Sequence, residues 1–271
     1  PFIDWTVPTS PEAIAWIICL GSKEDNIVLA ILAPIPETDK SILKISRSDF
    51  SIKPNKEWAS SLIWRNVNNL TKSVLGSKEK VLNFYNERRR EMLDVVPNEA
   101  HDIIASLEQE FEVVNITQNV SDLLERAGCS TVYHLHGSLT KARSTYLSGN
   151  PIQERLGVTN QPIDIGYEDI NLGDKCEKYG AQLRPHIVWF EEYPFHIEES
   201  YEAIRECDIL IIVGTSLNIT YTLDMLNNVN QLAKIFYVDP SPSNETKYMD
   251  LEIEYIKEPA TTGLQKVYQL I

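Results

Sequence analysis

Residues 117–139 read TQNVSDLLERAGCSTVYHLHGSL and combine the amide pair Gln118-Asn119, a helix-like segment and His136. The amide pair follows one apolar run of strand length, and His136 ends a second one. In an open α/β sheet, the carboxyl ends of the strands form the edge at which ligands bind. We therefore predict that two amides and one imidazole meet at this edge, where they can hold a sugar and move a proton. The alternative for His136 is a packed, hydrogen-bonded core residue.

Similar apolar runs alternate with helical patterns along the rest of the chain. The runs, several of them nearly continuous in Val, Ile and Leu, are 14–20, 27–32, 113–116, 132–135, 187–190, 209–213 and 235–238. The helical patterns are 80–93, 98–111, 120–127, 197–207 and 223–232. Continuous apolar runs are typical of strands buried on both faces, as in a parallel sheet. The alternation therefore predicts a doubly wound, Rossmann-like α/β fold with a parallel sheet.

The segment 143–182 interrupts this alternation. It is rich in Gly, Pro, Asn and Asp, and its apolar residues show little periodicity. We interpret it as a small irregular module with little core of its own. The predicted division is a main domain formed by 1–142 and 183–271, with the module 143–182 inserted. Residues 36–60 are also polar and irregular, and they are a second candidate excursion.

The composition excludes several classes of function. The chain has 271 residues, of which 43% are hydrophobic, enough for one large or two modest domains. Its formal charge of −14 repels a phosphate backbone and argues against a nucleic-acid partner. No apolar run reaches the length of a membrane span, and the amino-terminal stretch is a poor signal peptide. Four widely spaced cysteines without a CxxC pair suit a reducing cytoplasm, which is the expected location.

Two further segments follow apolar runs at positions where a ligand can bind. Gly214-Thr215-Ser216 comes after 209–213, and the glycine lets the backbone approach a phosphate that the next amides and hydroxyls can bind. An ordinary turn is an equal alternative for these three residues. Asp239 follows 235–238 and either contacts a ribose or ends the strand.

A helix and a strand offer candidate contacts with a substrate. Tyr85 and Arg88 are three residues apart on a predicted helix and share a face, so a phenol and a guanidinium can together bind a carboxylate. The alternative is a solvated helix that carries basic residues. Val188, Trp189 and Phe190 end an apolar strand that can pair with an extended peptide, and ordinary core packing is the alternative there.

Six motifs occur in one order along residues 80–271. They are FYNERRR at 84–90, TQNV at 117–120, HLHGSL at 134–139, LRPHIVWF at 183–190, IIVGTSL at 211–217 and a late strand that ends in Asp239-Pro240. With these motifs the chain resembles the sirtuins, the NAD-dependent protein-lysine deacylases, and in particular zinc-free bacterial members that prefer acidic acyl groups. The amino-terminal third of the chain does not share the resemblance.

The resemblance implies a reaction and a set of site residues. The cofactor would be NAD, and the partner an acyl-lysine protein or peptide from which an acetyl, succinyl or malonyl group is removed, with nicotinamide and O-acyl-ADP-ribose as products. The implied catalytic residues are His136, as the base, and Asn119. The implied cofactor-binding residues are Gln118, Ser121, Gly214, Thr215, Ser216, Asp239 and Ala260. The implied substrate-binding residues are Tyr85 and Arg88 for the acyl carboxylate, and Val188, Trp189 and Phe190 for the peptide strand.

The chain departs from the sirtuin pattern at several positions. Ser144 stands where the family's zinc-binding cysteines would begin, and Cys176 alone cannot hold zinc, so we expect no zinc. Ser121 replaces an acidic residue, and Glu191 replaces a glycine in the WFGE motif. In addition, Thr220–Leu223 replaces a YPAA-like segment.

The largest departure concerns the glycine-rich loop that holds the diphosphate in the family. Gly21 and Gly76 are the only glycines before Gly128 in the sequence. Neither of the first two apolar runs, 14–20 and 27–32, ends in a glycine-rich loop. The loss of two amide–phosphate hydrogen bonds would weaken NAD binding by about two to four orders of magnitude. Two alternatives therefore stand beside the deacylase: a relative that binds acyl-lysine peptide or ADP-ribose without turnover, and an NAD hydrolase or ADP-ribosyl transferase.

Overall fold

The computed structural model describes residues 16–21, 29–31, 78–146, 161–189, 192–215, 217 and 220–271. The strands, in chain order, are β1 (Trp16–Gly21), β2 (Leu29–Ile31), β3 (Glu112–Thr117), β4 (Val132–His134), β5 (Gly137–Ser144), β6 (Ile163–Asp164), β7 (Leu183–Ile187), β8 (Ile209–Val213), β9 (Lys234–Val238) and β10 (Ile253–Ile256). The helices are α1 (Lys78–Glu91), α2 (Glu99–Leu107), α3 (Leu123–Ala127), α4 (Ile197–Glu206), α5 (Thr220–Leu226) and α6 (Ala260–Leu270), and a 3₁₀ helix covers Asn244–Tyr248.

These elements form two compact units. The described residues of the first unit lie within 1–36, 96–136 and 196–271, and those of the second lie within 37–95 and 137–195. The second unit therefore includes α1 and the described residues of 137–142 and 183–195. The division made from the sequence placed these residues in the main domain. In the described part of the chain, no helix is both long and apolar enough to cross a membrane.

The first unit is built on one sheet with the strand order β10-β9-β8-β1-β3-β2, and β4 also pairs with β3. The pairs β10–β9, β9–β8, β3–β2 and β3–β4 are parallel, as predicted. Strand β1 is the exception, because it runs antiparallel to both β3 and β8. The predicted Rossmann-like α/β sheet is present, with β1 as an antiparallel strand within it. A continuous apolar run is suited to burial in either direction, so its sequence does not specify which way it runs.

The core of the first unit lies along β8 and β9. The residues Leu210–Val213 and Ile235–Val238 are buried, as the continuous apolar runs predicted. Helix α6 packs on β9 through Gly263, where an added Cβ would overlap the side chain of Val238. A glycine at this position therefore allows the helix to lie close to the strand.

The ends of two helices in the first unit were predictable from local chemistry. Asn98 caps α2, because its Oδ1 accepts hydrogen bonds from the amides of Ala100 at 3.1 Å and His101 at 3.4 Å. The His101 Nδ1 atom accepts from the Asn98 amide at 3.2 Å, which completes a reciprocal capping box. Helix α3 ends at Gly128, whose φ of 110° lies in the left-handed region that glycine adopts without strain.

The second unit contains an antiparallel sheet with the strand order β6-β5-β7. Its core consists of Leu82 from α1 with Ala142 and Ile170, against which Ile165 and Leu183 also pack. The segment 143–182 contributes Ile165 and Ile170 to this core, and the other three residues come from outside it.

A buried polar network ties α1 to the rest of the second unit. The Asn86 side chain donates to the Ile170 carbonyl and accepts from the Ile170 amide, both at 3.0 Å. The fully buried Arg89 donates to the Leu139 carbonyl at 2.7 Å and to Asn86 Oδ1 at 2.8 Å. These hydrogen bonds connect α1 to the segment 143–182 at Ile170 and to β5 at Leu139.

Zinc does not fit the part of the second unit that the structure describes. Cys176 is buried, and Ser144 Oγ accepts the Tyr146 amide at 3.0 Å. Across the described ranges, no three His, Cys, Asp or Glu side chains are grouped so that they can hold a metal ion.

Candidate active site

Gln118 and His136 converge on one phenol in the first unit. Gln118 follows β3, His136 lies two residues beyond β4, and Tyr221 is the second residue of α5. The Gln118 Nε2 atom donates to the Tyr221 hydroxyl at 2.8 Å, and this hydroxyl lies 2.7 Å from His136 Nε2. In the tautomer that carries its ring proton on Nδ1, His136 Nε2 accepts the phenol proton. The predicted meeting of an amide and an imidazole thus occurs through a tyrosine that the sequence did not single out.

Burial sets the protonation states of the two ring groups. His136 is 3% exposed, and burial lowers its pKa to about 3, although a backbone hydrogen bond with Gln118 raises it in part. Burial also raises the pKa of Tyr221, and the hydrogen bond from Gln118 opposes that rise only in part. At neutral pH the imidazole is therefore neutral and the phenol is protonated, so a proton acceptor faces a hydroxyl group.

The loop after β3 is held in place by His134. The His134 Nδ1 atom donates to the Asn119 carbonyl at 2.8 Å, and Nε2 lies 2.7 Å from Glu125 Oε1. The Asn119 amide donates to Thr117 Oγ1 at 2.8 Å. His134 therefore orients the loop that carries the amide pair, while the Asn119 side chain is partly exposed. Ser121 lies in the bend that follows, also partly exposed.

Gly137, the residue after His136, has a conformation that only glycine adopts readily. Its φ is 86°, and an added Cβ would overlap the His186 carbonyl of β7. The close approach of β5 and β7 therefore requires a glycine directly behind the imidazole-bearing residue.

The predicted phosphate segment forms a tight turn after β8. Gly214 has a φ of 58°, and its amide donates to the Val238 carbonyl at 2.8 Å. Thr215 is buried, and its hydroxyl accepts the Leu217 amide at 3.0 Å. The Thr215 side chain thus stabilises the turn itself, as the alternative interpretation expected. Ser216 lies outside the described residues.

Asp239 and Ala260 come after the parallel neighbours β9 and β10, so both lie near the carboxyl ends of these strands. Asp239 follows β9, and burial raises the pKa of its carboxyl group, while the Ser241 amide at 2.6 Å lowers it in part. Ala260 is the first residue of α6, where backbone amides without a helical partner can bind an anion. After Asp239, a cavity of about 470 Å³ is lined by Pro240–Asn244, Lys247, Tyr255 and Lys257.

In the second unit, Tyr85 and Arg88 have separate partners. The Tyr85 hydroxyl accepts from Trp189 Nε1 at 2.8 Å, and burial raises the Tyr85 pKa to about 12, although the Trp189 bond lowers it in part. The Arg88 guanidinium lies 5.2 Å from the centre of the Phe84 ring and donates to Glu91 Oε2 at 2.6 Å. The guanidinium that was expected to bind a carboxylate therefore already holds one from its own helix.

Trp189 is positioned by a charge cluster that sequence reasoning missed. Arg184 stacks on the Trp189 ring, with Cζ 3.3 Å from the ring centre. Glu192 accepts from the Trp189 amide at 2.8 Å, from Arg143 at 2.8 Å and from Arg184 at 2.6 Å. The side chain of Val188 is buried, as core packing would have it.

Two members of this cluster carried a signal in the sequence. Arg184 lies in β7 and Glu192 follows it by eight residues, so an acid and a base this close in the sequence could have been paired. Arg143 carried no such signal, because it is 49 residues away from Glu192. Phe190 and Glu191 lie outside the described residues.

Comparisons with known proteins identify the family of the chain. The model of the Sir2 family matches residues 63–221. An NAD-dependent protein deacylase of Bacteroides thetaiotaomicron is 40% identical over 191 residues, which are 70% of this chain and 78% of that protein. One from Helicobacter pylori strain J99 is 39% identical over 191 residues, which are 69% and 74%.

Two solved structures show the same fold. A mutant Sir2 homologue in complex with ADP-ribose is 28% identical with a TM-score of 0.59, over 71% of this chain and 73% of that one. A Sir2 homologue in complex with NAD is 26% identical with a TM-score of 0.60, over 80% and 82%. On its match to the family model and its identity with these deacylases, the chain belongs to the Sir2 family, the sirtuins.

Proposed function

We propose that this chain is an NAD-dependent protein-lysine deacylase that prefers acidic acyl groups. The observation that carries the proposal is the neutral imidazole of His136, whose Nε2 atom lies at a hydrogen-bonding distance of 2.7 Å from a hydroxyl group. A buried, unprotonated imidazole beside a hydroxyl is the arrangement that a base needs in order to take a proton from a sugar. Membership of the Sir2 family supports NAD as the source of that sugar.

The catalytic roles follow from the chemistry of each group. When bound, NAD supplies a ribose carbon that the acyl oxygen can attack and a nicotinamide that can leave. His136 takes the proton from a ribose hydroxyl, and Asn119 orients the same sugar from the loop that His134 holds. The low His136 pKa makes this imidazole a weak base, so accurate placement of the hydroxyl has to supply much of the rate.

The remaining cofactor contacts are proposed along the carboxyl ends of the strands. Gln118 and Ser121 would contact the nicotinamide end, and Asp239 a ribose. Phosphate contacts would come from Gly214, Thr215 and Ser216, which follow β8 in the sequence, and from the α6 amino terminus at Ala260. A glycine with a positive φ after a strand and the first amides of a helix are both suited to an anion.

Recognition of the acyl-lysine substrate is assigned to the second unit. Tyr85 and Arg88 would bind the carboxylate of a succinyl or malonyl group, while the strand around Val188, Trp189 and Phe190 would pair with the peptide. The 2.6 Å bond between Arg88 and Glu91 supports the first assignment, because in it this guanidinium donates to a carboxylate. A location in the cytoplasm is part of the same proposal.

A second candidate function, ligand binding without turnover, is favoured by one observation. His136 Nε2 is already hydrogen-bonded to Tyr221, and the imidazole has a low pKa. A chain that cannot release this bond would bind a peptide or ADP-ribose and catalyse nothing.

The two candidates are separated by measuring nicotinamide release. The full chain is incubated with NAD and either a succinyl-lysine or an acetyl-lysine peptide, with His136→Ala as the control. We expect peptide-dependent release that is faster with the succinyl peptide and is lost in the variant. Release equal to that of His136→Ala, with ADP-ribose still bound in calorimetry, would favour the binding protein. Free ADP-ribose formed without any peptide would instead indicate an NAD hydrolase.

A further inference from the structure

One phenol oxygen joins two of the groups that the proposed function assigns to the nicotinamide ribose. The Tyr221 hydroxyl accepts from Gln118 Nε2 at 2.8 Å and lies 2.7 Å from His136 Nε2, to which it donates in the tautomer with the ring proton on Nδ1. A ribose hydroxyl has the same capacities, because it also accepts and donates through one oxygen. Tyr221 therefore makes, within the protein, the contacts that a sugar hydroxyl would make.

The phenol and a ribose hydroxyl cannot both bind the imidazole. A neutral His136 has one acceptor nitrogen, and that nitrogen has a single lone pair in the ring plane. The phenol must therefore release His136 before a ribose hydroxyl can reach the same atom. Breaking a hydrogen bond of the phenol costs free energy, and this cost reduces the net free energy of ribose binding.

The position of Tyr221 allows such a release without unfolding the helix. Tyr221 is the second residue of α5, and Thr222, Met225 and Leu226 on this helix are fully buried. These three side chains anchor α5, so a rotation about the Tyr221 side-chain torsions is enough to move the phenol. Tyr221 belongs to the segment 220–223, which differs from the YPAA-like sequence of the family.

We propose that Tyr221 sets the NAD affinity of this chain by occupying, in the ligand-free protein, the hydrogen-bonding position of a ribose hydroxyl. The proposal rests on the proposed function, since it takes His136 and Gln118 to be ribose contacts. It makes Tyr221 a positioning residue: the phenol holds the imidazole as an acceptor and the amide as a donor until the sugar replaces it.

The test is the Tyr221→Phe substitution, which keeps the ring and removes the hydroxyl. Calorimetric titration with ADP-ribose should show binding about 5- to 30-fold tighter than in the wild type, the equivalent of one to two ordinary protein hydrogen bonds. Tyr268→Phe is the matched control, because the Tyr268 hydroxyl donates to the exposed Glu110 at 3.0 Å. The affinity of this variant for ADP-ribose should equal that of the wild type. If Tyr221 had only a structural role, the Tyr221→Phe substitution would weaken ADP-ribose binding or leave it unaltered.

A spectroscopic measurement reports on the contact itself. The ¹⁵N signal of the His136 imidazole should move in Tyr221→Phe, and it should move again when ADP-ribose is added to the wild type. Unchanged or weaker ADP-ribose binding by the variant, with a wild type that binds, would overturn the Tyr221 proposal and leave the deacylase standing. If neither protein binds ADP-ribose at millimolar concentration, the proposed function fails and the role of Tyr221 fails with it.

Discussion

Replacing Glu192 by Gln should destabilise the second unit strongly. Its carboxylate is 4% exposed and lies between two guanidiniums that are nearly as buried, those of Arg143 and Arg184. The closest oxygen–nitrogen distances are 2.8 Å to Arg143 and 2.6 Å to Arg184. Glutamine keeps the shape of the side chain but removes the negative charge, so two buried positive charges remain without compensation.

The size of the effect follows from that burial. Removing one partner from a buried ion pair typically costs about 3–5 kcal/mol, because the remaining charge is left desolvated. Glu192 has two such partners and also accepts the Trp189 amide at 2.8 Å. We therefore expect a loss of about 3–5 kcal/mol in the free energy of unfolding, a large share of the roughly 5–15 kcal/mol that a typical domain has.

Urea unfolding followed by circular dichroism measures this loss. The matched control is Asp169→Asn, since the Asp169–Arg90 pair has a similar distance of 2.5 Å but is exposed, and its loss should cost no more than about 1 kcal/mol. A loss of about 1 kcal/mol or less for Glu192→Gln would refute the reasoning, because it would show that the two guanidiniums are stable without their carboxylate.

The same carboxylate predicts a dependence on pH. Burial alone would raise the Glu192 pKa, but Arg184 and Arg143 outweigh it and hold the pKa below its ordinary value of 4.5. The stabilisation is therefore complete above pH 4.5 and is lost as the pH falls through the lower pKa of the folded state. The difference between the wild type and Glu192→Gln should shrink in that acidic range.

Three further results are expected. Asn86→Ala removes both bonds to the Ile170 backbone and should lower the free energy of unfolding by about 2–4 kcal/mol in urea titrations, whereas an equal midpoint would argue against the network. Burial lowers the His101 pKa to about 3, so between about pH 3 and pH 6.5 the unfolded chain binds a proton at His101 that the folded chain does not. The free energy of unfolding should therefore rise with pH across this range, and His101→Gln should flatten the rise. Glu91→Gln frees Arg88 from its 2.6 Å pair and should raise kcat/KM about twofold for a succinyl-lysine peptide but not for an acetyl-lysine peptide; equal gains on both peptides would contradict the carboxylate role.

Features that depend on short stretches of chain were predictable. The buried strands β8 and β9 follow from continuous apolar runs, and the start of α2 follows from Asn98. The end of α3 follows from Gly128. In each case the residues that make the feature are neighbours along the chain, so propensity and periodicity contain the information.

The candidate site was only partly predictable. The convergence of Gln118 and His136 followed from their places after two strands, but the tyrosine between them did not. Tyr221 is 103 residues from Gln118 and 85 residues from His136, and no local pattern marks a phenol that will reach so far. The place of Arg143 in the Glu192 cluster was missed for the same reason, because the two residues are 49 positions apart.

By itself, the sequence determined the kind of sheet, the order of the motifs and the family, because these depend on residue types and their local spacing. Only the tertiary structure decided which polar groups meet: the phenol on the imidazole, the paired guanidiniums around one carboxylate, and α1 against the irregular segment. Such contacts depend on the path of the whole chain, and a buried polar group stabilises the fold only where that path brings it a partner.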